Sequence, residues 1–354
     1  MKKTFKFLLV SMLALALLVA CGGSGNADTG TEDAGFKAVV VLDSGGIDDK
    51  SFNESTWDGV QKFLKDNNLK SEAVTYLSSK TDGSDYVSNL ESAAEQADIV
   101  IAVGFLFEDS LKEVAPKYKE TPFLFIDGFI EGMDNVHNTS FADEEGSYYV
   151  GLIAGARAKA DGSNKVGFIG GIAFETITAF QAGFEQGVWE ANPEAEIFVD
   201  YVGDFADTGI AGNLASKMYN NGINIIYHAS GDAGNGIIAE AKNYDDKYVI
   251  GVDKDQYEAG KDKDGKSVVL TSMLKGVDVA AYDFLTEYYK NKDIVTDLFV
   301  FNTANEGIRT ELSEGRNLED EEIATVKEYM EKVISGEIKV TRQNVIEPGK
   351  SGTK

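Results

Sequence analysis

The chain is poor in cysteine, proline and histidine, with one, four and two of these residues among 354. A single cysteine excludes an internal disulfide and a metal site built from several thiolates. The histidines, His137 and His228, stand in neither a His-Glu-x-x-His motif nor a nucleophile elbow, so the patterns of zinc proteases and serine hydrolases are missing. His228 closes an apolar run, and we interpret it as a satisfied strand-end residue rather than a catalytic base.

Positive charge is also scarce. The chain has 33 Lys and Arg against 59 Asp and Glu, which gives a formal net charge of −26 at pH 7. Such an acidic surface repels phosphate backbones and anionic lipid headgroups, so we expect no nucleic-acid partner. The length exceeds what a single core usually supports, and it therefore predicts two domains.

The N terminus carries the longest apolar run, residues 7–20, directly after three nearby lysines. The run is short for a membrane span and typical of a secretory signal peptide. It ends in Leu18-Val-Ala-Cys21, which resembles the lipobox of bacterial lipoproteins. We therefore expect a signal peptide over 1–20, a lipid such as palmitate on Cys21, and a flexible polar tether over 21–35. This arrangement predicts a protein anchored to the cell membrane and facing the extracellular side.

Beyond the tether, apolar strand-like runs alternate with amphipathic helical runs, which predicts an α/β fold with mostly parallel sheets. Strands are predicted at 37–43, 72–77, 99–105, 123–127, 166–172, 197–202, 223–229, 248–253 and 268–273. Helices are predicted from residue 52 onward and at 86–97, 109–118, 147–160, 179–191, 210–219, 236–242, 279–289 and 321–334. The pattern restarts after the turn at 161–164, which indicates two Rossmann-like lobes in series.

Three of the predicted strands end in an aspartate: Asp43, Asp127 and Asp253. Ligands of open α/β sheets bind beyond the carboxyl ends of the strands, so these side chains could converge on one crevice. A single Asp in such a place is more often a turn former, but three in equivalent positions favour a site. Carboxylates accept hydrogen bonds, so this site suits a neutral, donor-rich molecule such as a sugar or a nucleoside.

The residues after Asp43 predict a helix start. Ser51 and Glu54 have the spacing of a capping box. Phe52 lies in the first helical turn, where sequence alone slightly favours the core over a position above the strand ends. If Phe52 instead faces the crevice, it and Phe205 could sandwich a flat ring.

Several motifs follow one another along the chain. They are Asp43-Ser-Gly-Gly-Ile-Asp-Asp-Lys-Ser-Phe-Asn-Glu54, Phe125-Ile-Asp-Gly128, Gly167-Phe-Ile-Gly-Gly171, Gly203-Asp-Phe205, Gly251-Val-Asp253 and Thr271-Ser-Met-Leu-Lys-Gly276. Together they resemble the basic membrane protein family of substrate-binding lipoproteins, and within it the purine nucleoside receptors of ABC transporters. The first motif is long and specific, whereas the others persuade mainly by their order.

This resemblance implies a type I periplasmic-binding-protein fold with the ligand cleft at the hinge between two lobes. Lobe 1 would comprise 36–140 plus about 277–302, and lobe 2 would comprise 141–276 plus about 303–350. The implied ligand residues are Asp127 and Asn53 at the base, Phe52 and Phe205 on its faces, Asp253, Gly231 and Lys275 at the ribose, with Lys275 beside Asp253, and Asp43 at either edge. The implied partners are a purine nucleoside and an ABC permease, and the implied state is a monomer without catalytic residue, metal or cofactor.

Other functions stay open on the residues alone. Residues 43–49 bear a superficial likeness to the aspartate-rich opening of calcium-dependent nucleoside hydrolases, whose carboxylates hold the metal. They lack an Asp two residues after the first, and a Gly stands where those enzymes have Pro. A receptor for another neutral, sugar-like ligand and a lipid-anchored adhesin are further alternatives.

Overall fold

The computed structural model describes residues 35–294, 298–343 and 345–354. The predicted signal peptide, Cys21 and nearly all of the tether lie outside these residues. Among the helices within the described ranges, none is both long enough and apolar enough to cross a membrane.

The first half of the chain builds a parallel sheet flanked by helices. Its strands are β1 (Ala38–Leu42), β2 (Val74–Ser78), β3 (Ile99–Val103), β4 (Phe123–Ile126) and β5 (Val136–Phe141). Its helices are α1 (Phe52–Asp66), α2 (Tyr86–Ala94) and α3 (Glu108–Val114). β1 and β3 are buried along their whole length because helices cover both faces of the sheet, as their unbroken apolar sequences require.

The second half repeats the alternation. Its elements are α4 (Asp143–Ala160), β6 (Lys165–Gly170), α5 (Glu175–Ala191), β7 (Glu196–Tyr201), α6 (Thr208–Asn220), β8 (Ile225–Ala229), α7 (Gly234–Ala241), β9 (Tyr248–Asp253) and β10 (Val269–Lys275). The remaining elements are α8 (Val277–Asn291), β11 (Leu298–Phe301), β12 (Ile308–Thr310), α9 (Asp320–Ile334) and β13 (Ser351–Gly352).

The strands form two sheets, which are the cores of two lobes. The first sheet has the order β11-β5-β4-β3-β1-β2 with parallel pairing throughout. The second has the order β12-β10-β9-β8-β6-β7-β13, and only its edge strands β12 and β13 pair antiparallel. The two-lobed α/β fold predicted from the sequence is therefore confirmed.

The chain passes between the two sheets at three places in the described residues: after β5, after β10 and after β11. These crossings lie side by side, since the Ala142 amide donates to the Phe301 carbonyl and the Gly276 amide to the Gly307 carbonyl, each over 2.8 Å. The rings of Phe141 and Phe301 also stack there with centroids 4.9 Å apart. The crossings form the hinge between the lobes.

The predicted strands and helices are all present, with ends shifted by a few residues. The strands β5, β11, β12 and β13 were not predicted. β5 reads Val-His-Asn-Thr-Ser-Phe, and its polar side chains obscure the apolar pattern of a buried strand. Two helices begin earlier than expected: α4 at Asp143 instead of residue 147, and α5 at Glu175 instead of 179.

Candidate ligand-binding site

A cavity lies between the lobes, lined by residues of both. All of the ligand-binding residues expected from the sequence line this one cavity: Asp43, Phe52, Asn53, Asp127, Phe205, Gly231, Asp253 and Lys275. The strand-end aspartates therefore converge, as their equivalent positions predicted.

Asp127 and Asp253 reach the cavity through an unusual backbone. Asp127 directly follows β4 and Asp253 ends β9, and their φ angles are +66° and +67°. Asp adopts this left-handed conformation more readily than most residues, yet it still costs about 1–3 kcal/mol at a non-glycine position. The same conformation at corresponding ends of the two sheets turns one carboxylate from each lobe toward the cleft.

Lys275 is the buried cation of the site, with its side chain only 1% exposed. Its Nζ lies 2.7 Å from Asp127 Oδ2 and 3.0 Å from Asp143 Oδ1. Burial alone would lower the pKa of Lys275, but Asp127, Asp143 and Asp253 outweigh it and raise that pKa, so the ammonium stays charged. The sequence interpretation placed Lys275 beside Asp253. Its ion pairs join Asp127 of the first lobe to Asp143 at the hinge, and the charge of Asp253 also acts on its ammonium.

Aromatic rings surround the same ammonium. Lys275 Nζ lies 4.8 Å from the centroid of Phe141, 4.9 Å from that of Phe180 and 5.5 Å from that of Phe52. Phe52 is partly exposed and lines the cavity, although it also packs against the core. Both positions considered for this ring from the sequence are therefore occupied in part, the core on one side and the cavity on the other.

Asn53 lines the cavity, and one end of its side-chain amide has no partner in the described residues. Its Nδ2 donates to the Ser44 carbonyl over 2.6 Å, which fixes the amide so that Oδ1 is the free end. Asn53 is 3% exposed, and Oδ1 has no hydrogen-bond partner within the described part of the chain. A buried acceptor without a partner costs about 1–3 kcal/mol, so this atom favours a ligand that carries a donor.

The start of α1 is held by Asp49, and the expected capping box is wrong. Asp49 accepts hydrogen bonds from the backbone amides of Ser51, Asn53 and Glu54 at 2.8, 3.0 and 2.9 Å. Ser51 Oγ instead donates across the cleft to Asp253 Oδ2 at 2.5 Å. Burial raises the pKa of Asp49 even though these amide donors oppose it.

Asp43 has a confined position between the strand end and Gly104. Its Oδ1 accepts from the Ser44 amide, and a Cβ on Gly104, whose φ is +112°, would lie 2.1 Å from Oδ2. Burial raises the pKa of Asp43 to about 7, helped by the nearby carboxylates of Asp49 and Asp127. Burial likewise raises the pKa of Asp253 to about 6, against the opposing effects of Lys275 and Ser51. Near neutral pH, Asp43 can therefore either donate or accept a hydrogen bond.

Two glycines lie close to the side chain of Phe205. A Cβ on Gly171 would lie 2.2 Å from its ring, and a Cβ on Gly231 would lie 3.4 Å from its Cβ. Phe105 of the first lobe meets Phe205 edge to face at 6.0 Å and stacks on Phe174 of the second lobe at 4.8 Å, with only 5° between the ring planes. Aromatic rings from both lobes thus close over one end of the cavity.

Comparison with known proteins supports what this geometry suggests. The family model of the Bmp proteins, described as ABC transporter substrate-binding protein PnrA-like, matches residues 36–344. This chain belongs to the Bmp family. As a member, it is a substrate-binding protein of an ABC transporter, in agreement with the resemblance seen in its motifs.

Relatives of this Bmp protein cover most of its length. It is 37% identical to the CD4+ T-cell-stimulating antigen of Listeria innocua, over 96% of this chain and 98% of that protein. It is 34% identical to the ABC transporter nucleoside-binding protein BmpA of Lactococcus lactis, over 87% of this chain and 91% of the relative. Basic membrane protein A of Borreliella burgdorferi is also 34% identical, over 80% of each chain.

Solved structures agree on the fold. The solute-binding protein of an ABC transporter system from Aeropyrum pernix matches with a TM-score of 0.75 and 22% identity, covering 86% of this chain and 93% of that one. A second solute-binding protein, from Conexibacter woesei, matches with a TM-score of 0.63 and 21% identity, covering 86% of this chain and 99% of that one. The type I binding-protein fold of this Bmp protein is thereby confirmed.

Sequence reasoning missed several residues of the site in this Bmp protein. Phe105, Phe180 and Asp232 line the cavity, and Asp143 reaches it through Lys275. Asp49 also lines the cavity and was quoted in the first motif without a role. A usable signal existed for Phe105, which closes the predicted strand at 99–105.

His228 is a buried strand residue, as predicted. Its Nε2 lies 3.0 Å from Gln256 Oε1 and its Nδ1 3.2 Å from Ser230 Oγ, and burial lowers its pKa to about 4. Within residues 35–294, 298–343 and 345–354, no three carboxylate, histidine or cysteine side chains are arranged to hold a metal ion together. Asp49, one of the carboxylates in the stretch 43–49 that resembles nucleoside hydrolases, accepts hydrogen bonds from the amides of α1.

Proposed function

We propose that this protein captures purine nucleosides such as guanosine, inosine and adenosine outside the cell and delivers them to an ABC permease. The observation that carries the proposal is the imbalance of hydrogen-bonding groups in the cavity. Asp127, Asp253 and Asn53 Oδ1 are acceptors and Asp43 can act as one, whereas the cation Lys275 is already paired with carboxylates. A ligand rich in donors and without negative charge satisfies this set, and a phosphate does not.

The positions of the residues suggest how such a ligand is held. Asp127 and Asn53 accept hydrogen bonds from the N–H groups of the base, and Phe52 and Phe205 lie on its two faces. Asp253 accepts from adjacent ribose hydroxyls, with Gly231 and Lys275 beside it, while Asp43 binds at the base or ribose edge. Lys275 has three N–H donors and two ion-pair partners, so one donor is available for a ribose oxygen.

Calorimetry with guanosine, inosine, adenosine, cytidine and ribose tests this proposal. The protein is the chain from residue 21 with Cys21→Ser, unfolded and refolded to remove carried ligand. We expect saturable one-to-one binding of purine nucleosides without release of free base. Binding of ribose alone would point to a sugar receptor, and silence across the panel would refute the nucleoside assignment. Release of base from inosine, abolished by a chelator, would establish the hydrolase instead.

Asp127→Asn is the most direct variant for the base contacts. The amide keeps the shape but presents a donor where the carboxylate accepts. Guanosine affinity should therefore fall by roughly 10- to 150-fold, since a charged hydrogen bond is worth about 1.5–3 kcal/mol. Asp204→Asn is the control, because among the described residues Asp204 accepts only from the local amides of Ala206 and Asp207. An unchanged affinity in Asp127→Asn would contradict its assigned role.

We also propose that Cys21 carries the lipid that anchors the protein, as a monomer, on the extracellular side of the cell membrane. The lobes would extend over 36–140 plus about 277–302 and over 141–276 plus about 303–350, a division supported by the sheet membership of β11 and β12. Metabolic labelling with a palmitate analogue should mark the wild-type chain and not Cys21→Ser, which should appear in the medium. Labelling of Cys21→Ser would refute the anchor.

A further inference from the structure

Lys254 bridges the cleft outside the cavity. It follows β9 of the second lobe, and its Nζ lies 2.8 Å from Glu54 Oε1 and 2.7 Å from Asp58 Oδ2. Glu54 and Asp58 are one turn apart on α1 of the first lobe, so the ammonium sits between two carboxylates. The side chains of Lys254 and Glu54 are 24% and 20% exposed, which shields this contact from solvent more than an ordinary surface ion pair.

Neighbouring residues connect the same two segments. Gln256 Nε2 donates to the Lys50 carbonyl over 3.0 Å, and Asn235 Nδ2 donates to the Asp49 carbonyl over 2.9 Å. Each of these contacts joins the second lobe to the segment that begins α1, so each exists only while the lobes are together. Lys254 differs from the others because it carries charge.

The electrostatics of the contact favour both ions. Burial would raise the pKa of Glu54, but Lys254 and Lys50 outweigh it and lower that pKa. Burial would lower the pKa of Lys254, but Asp58 and Glu54 outweigh it and raise that pKa. Glu54 also has a partner in its own lobe, Lys50 at 2.9 Å, whereas both carboxylates that pair with Lys254 belong to the other lobe.

We propose that Lys254 is a positioning residue that does not touch the ligand. It sets the fraction of ligand-free protein that is closed, and through this fraction it sets the affinity for the ligand. A ligand enclosed between lobes binds with an apparent Kd equal to the intrinsic Kd divided by the closed fraction. The contact of Lys254 contributes the same free energy to every closed complex. It therefore scales the affinities of all ligands by one factor and leaves their ratios unchanged.

Binding measurements on Lys254→Met test the affinity part, which rests on the proposed nucleoside function. Met keeps most of the apolar stem and removes the charge. The Kd for guanosine and for inosine should each rise roughly tenfold, equivalent to about 1.4 kcal/mol, with faster dissociation and an unchanged ratio. Lys254→Arg should restore most of the affinity. Lys217→Met, which breaks an exposed ion pair to Asp200 within the second lobe, is the control and should bind normally.

Salt gives a second readout that a purely structural role would not produce. Raising the ionic strength from about 0.05 M to about 0.5 M shortens the Debye length several-fold and weakens partly exposed ion pairs. The affinity of the wild-type chain should fall with salt, and that of Lys254→Met should fall less. Equal salt dependence, an unchanged Kd, or a changed ratio between the two nucleosides would overturn the proposal.

Closure can be measured without any ligand. Cys21 is the only cysteine, so the chain from residue 21 with Cys21→Ser accepts spin labels at Thr81→Cys in the first lobe and Asn213→Cys in the second. The distance distribution of the ligand-free protein should shift toward the open arrangement in Lys254→Met and not in Lys217→Met. An identical distribution in Lys254→Met would overturn the proposal. This holds even if no nucleoside binds, so failure of the proposed function and failure of this inference are distinguishable.

Discussion

Replacing Lys275 with methionine should destabilise the folded protein strongly. The ammonium is 1% exposed and contacts two carboxylates that are themselves buried, Asp127 at 8% and Asp143 at 2% exposure. Methionine fills similar space but leaves both carboxylates without their cation. Removing one partner from a buried ion pair costs about 3–5 kcal/mol, because the remaining charge stays desolvated. We expect a loss of this size in the free energy of unfolding at pH 7.

The loss should shrink as the pH falls. Burial already raises the pKa of Asp143 against the opposing effect of Lys275, and removing the lysine removes that opposition. A carboxyl group whose pKa is higher in the folded than in the unfolded state stabilises the fold when it is protonated. Lowering the pH from 7 to 5 therefore lets the folded variant take up a proton that relieves part of the penalty.

Urea unfolding of ligand-free protein at both pH values measures these differences. Lys242→Met is the matched control, because Lys242 is exposed and its one hydrogen bond within the described part of the chain goes to the Ala259 carbonyl. Its loss should change stability by less than about 0.5 kcal/mol. The double variant Lys275→Met, Asp143→Asn should regain part of the stability, since one unpaired charge is gone. A loss below about 1 kcal/mol at pH 7, or an equal loss at pH 5, would refute this reasoning.

Three further predictions concern the cavity. Gly104→Ala should weaken guanosine binding at least tenfold, because its Cβ would displace the Asp43 carboxylate, whereas Gly132→Ala, also at positive φ but with open space, should bind normally in the same titration. Asp43→Asn should unfold at a higher urea concentration than wild type at pH 8 and lose this advantage toward pH 4. The reason is that the Asp43 pKa of about 7 makes the stability of the wild type fall as the pH rises from about 4 to 7. A difference in stability that does not change with pH would contradict this. Phe205→Leu should weaken purine nucleosides by roughly tenfold, from the loss of about 0.5–1.5 kcal/mol of ring contact plus area, while leaving ribose binding unchanged; equal losses for both ligands in calorimetry would refute the stacking role.

The sequence predicts the site best where local pattern and fold geometry agree. Asp43, Asp127 and Asp253 each end an apolar strand, and parallel sheets bring the carboxyl ends of their strands together, so convergence follows without knowledge of any contact. The left-handed φ of Asp127 and Asp253 has no such signature. This conformation arises because the backbone must turn at these two positions. An aspartate permits such a conformation but does not specify it.

Prediction from the sequence fails for side chains whose hydrogen-bond or ion-pair partners lie far away along the chain. Asp143 follows β5, whose asparagine and threonine are buried because they bond to neighbouring loops and strands. Asn138 exchanges two hydrogen bonds with the Ile130 backbone, and Thr139 Oγ1 donates to the Phe125 carbonyl. The sequence of this segment by itself is typical of a polar loop. For this reason neither β5 nor the first residues of α4 were predicted.

Ser51 illustrates the same limit at the cleft. Its spacing from Glu54 predicts a local capping box, yet both side chains reach the second lobe. Ser51 bonds to Asp253, and Glu54 bonds to Lys254 with one oxygen and to Lys50 with the other. Asp49 takes over the amides of α1 that a cap would satisfy. A helix start that gives up its own cap for partners across the cleft gains those partners only when the lobes close. Asp49 belongs to the same lobe as α1, so the capping of the helix does not depend on the second lobe, and the side chains of Ser51 and Glu54 are available for contacts across the cleft.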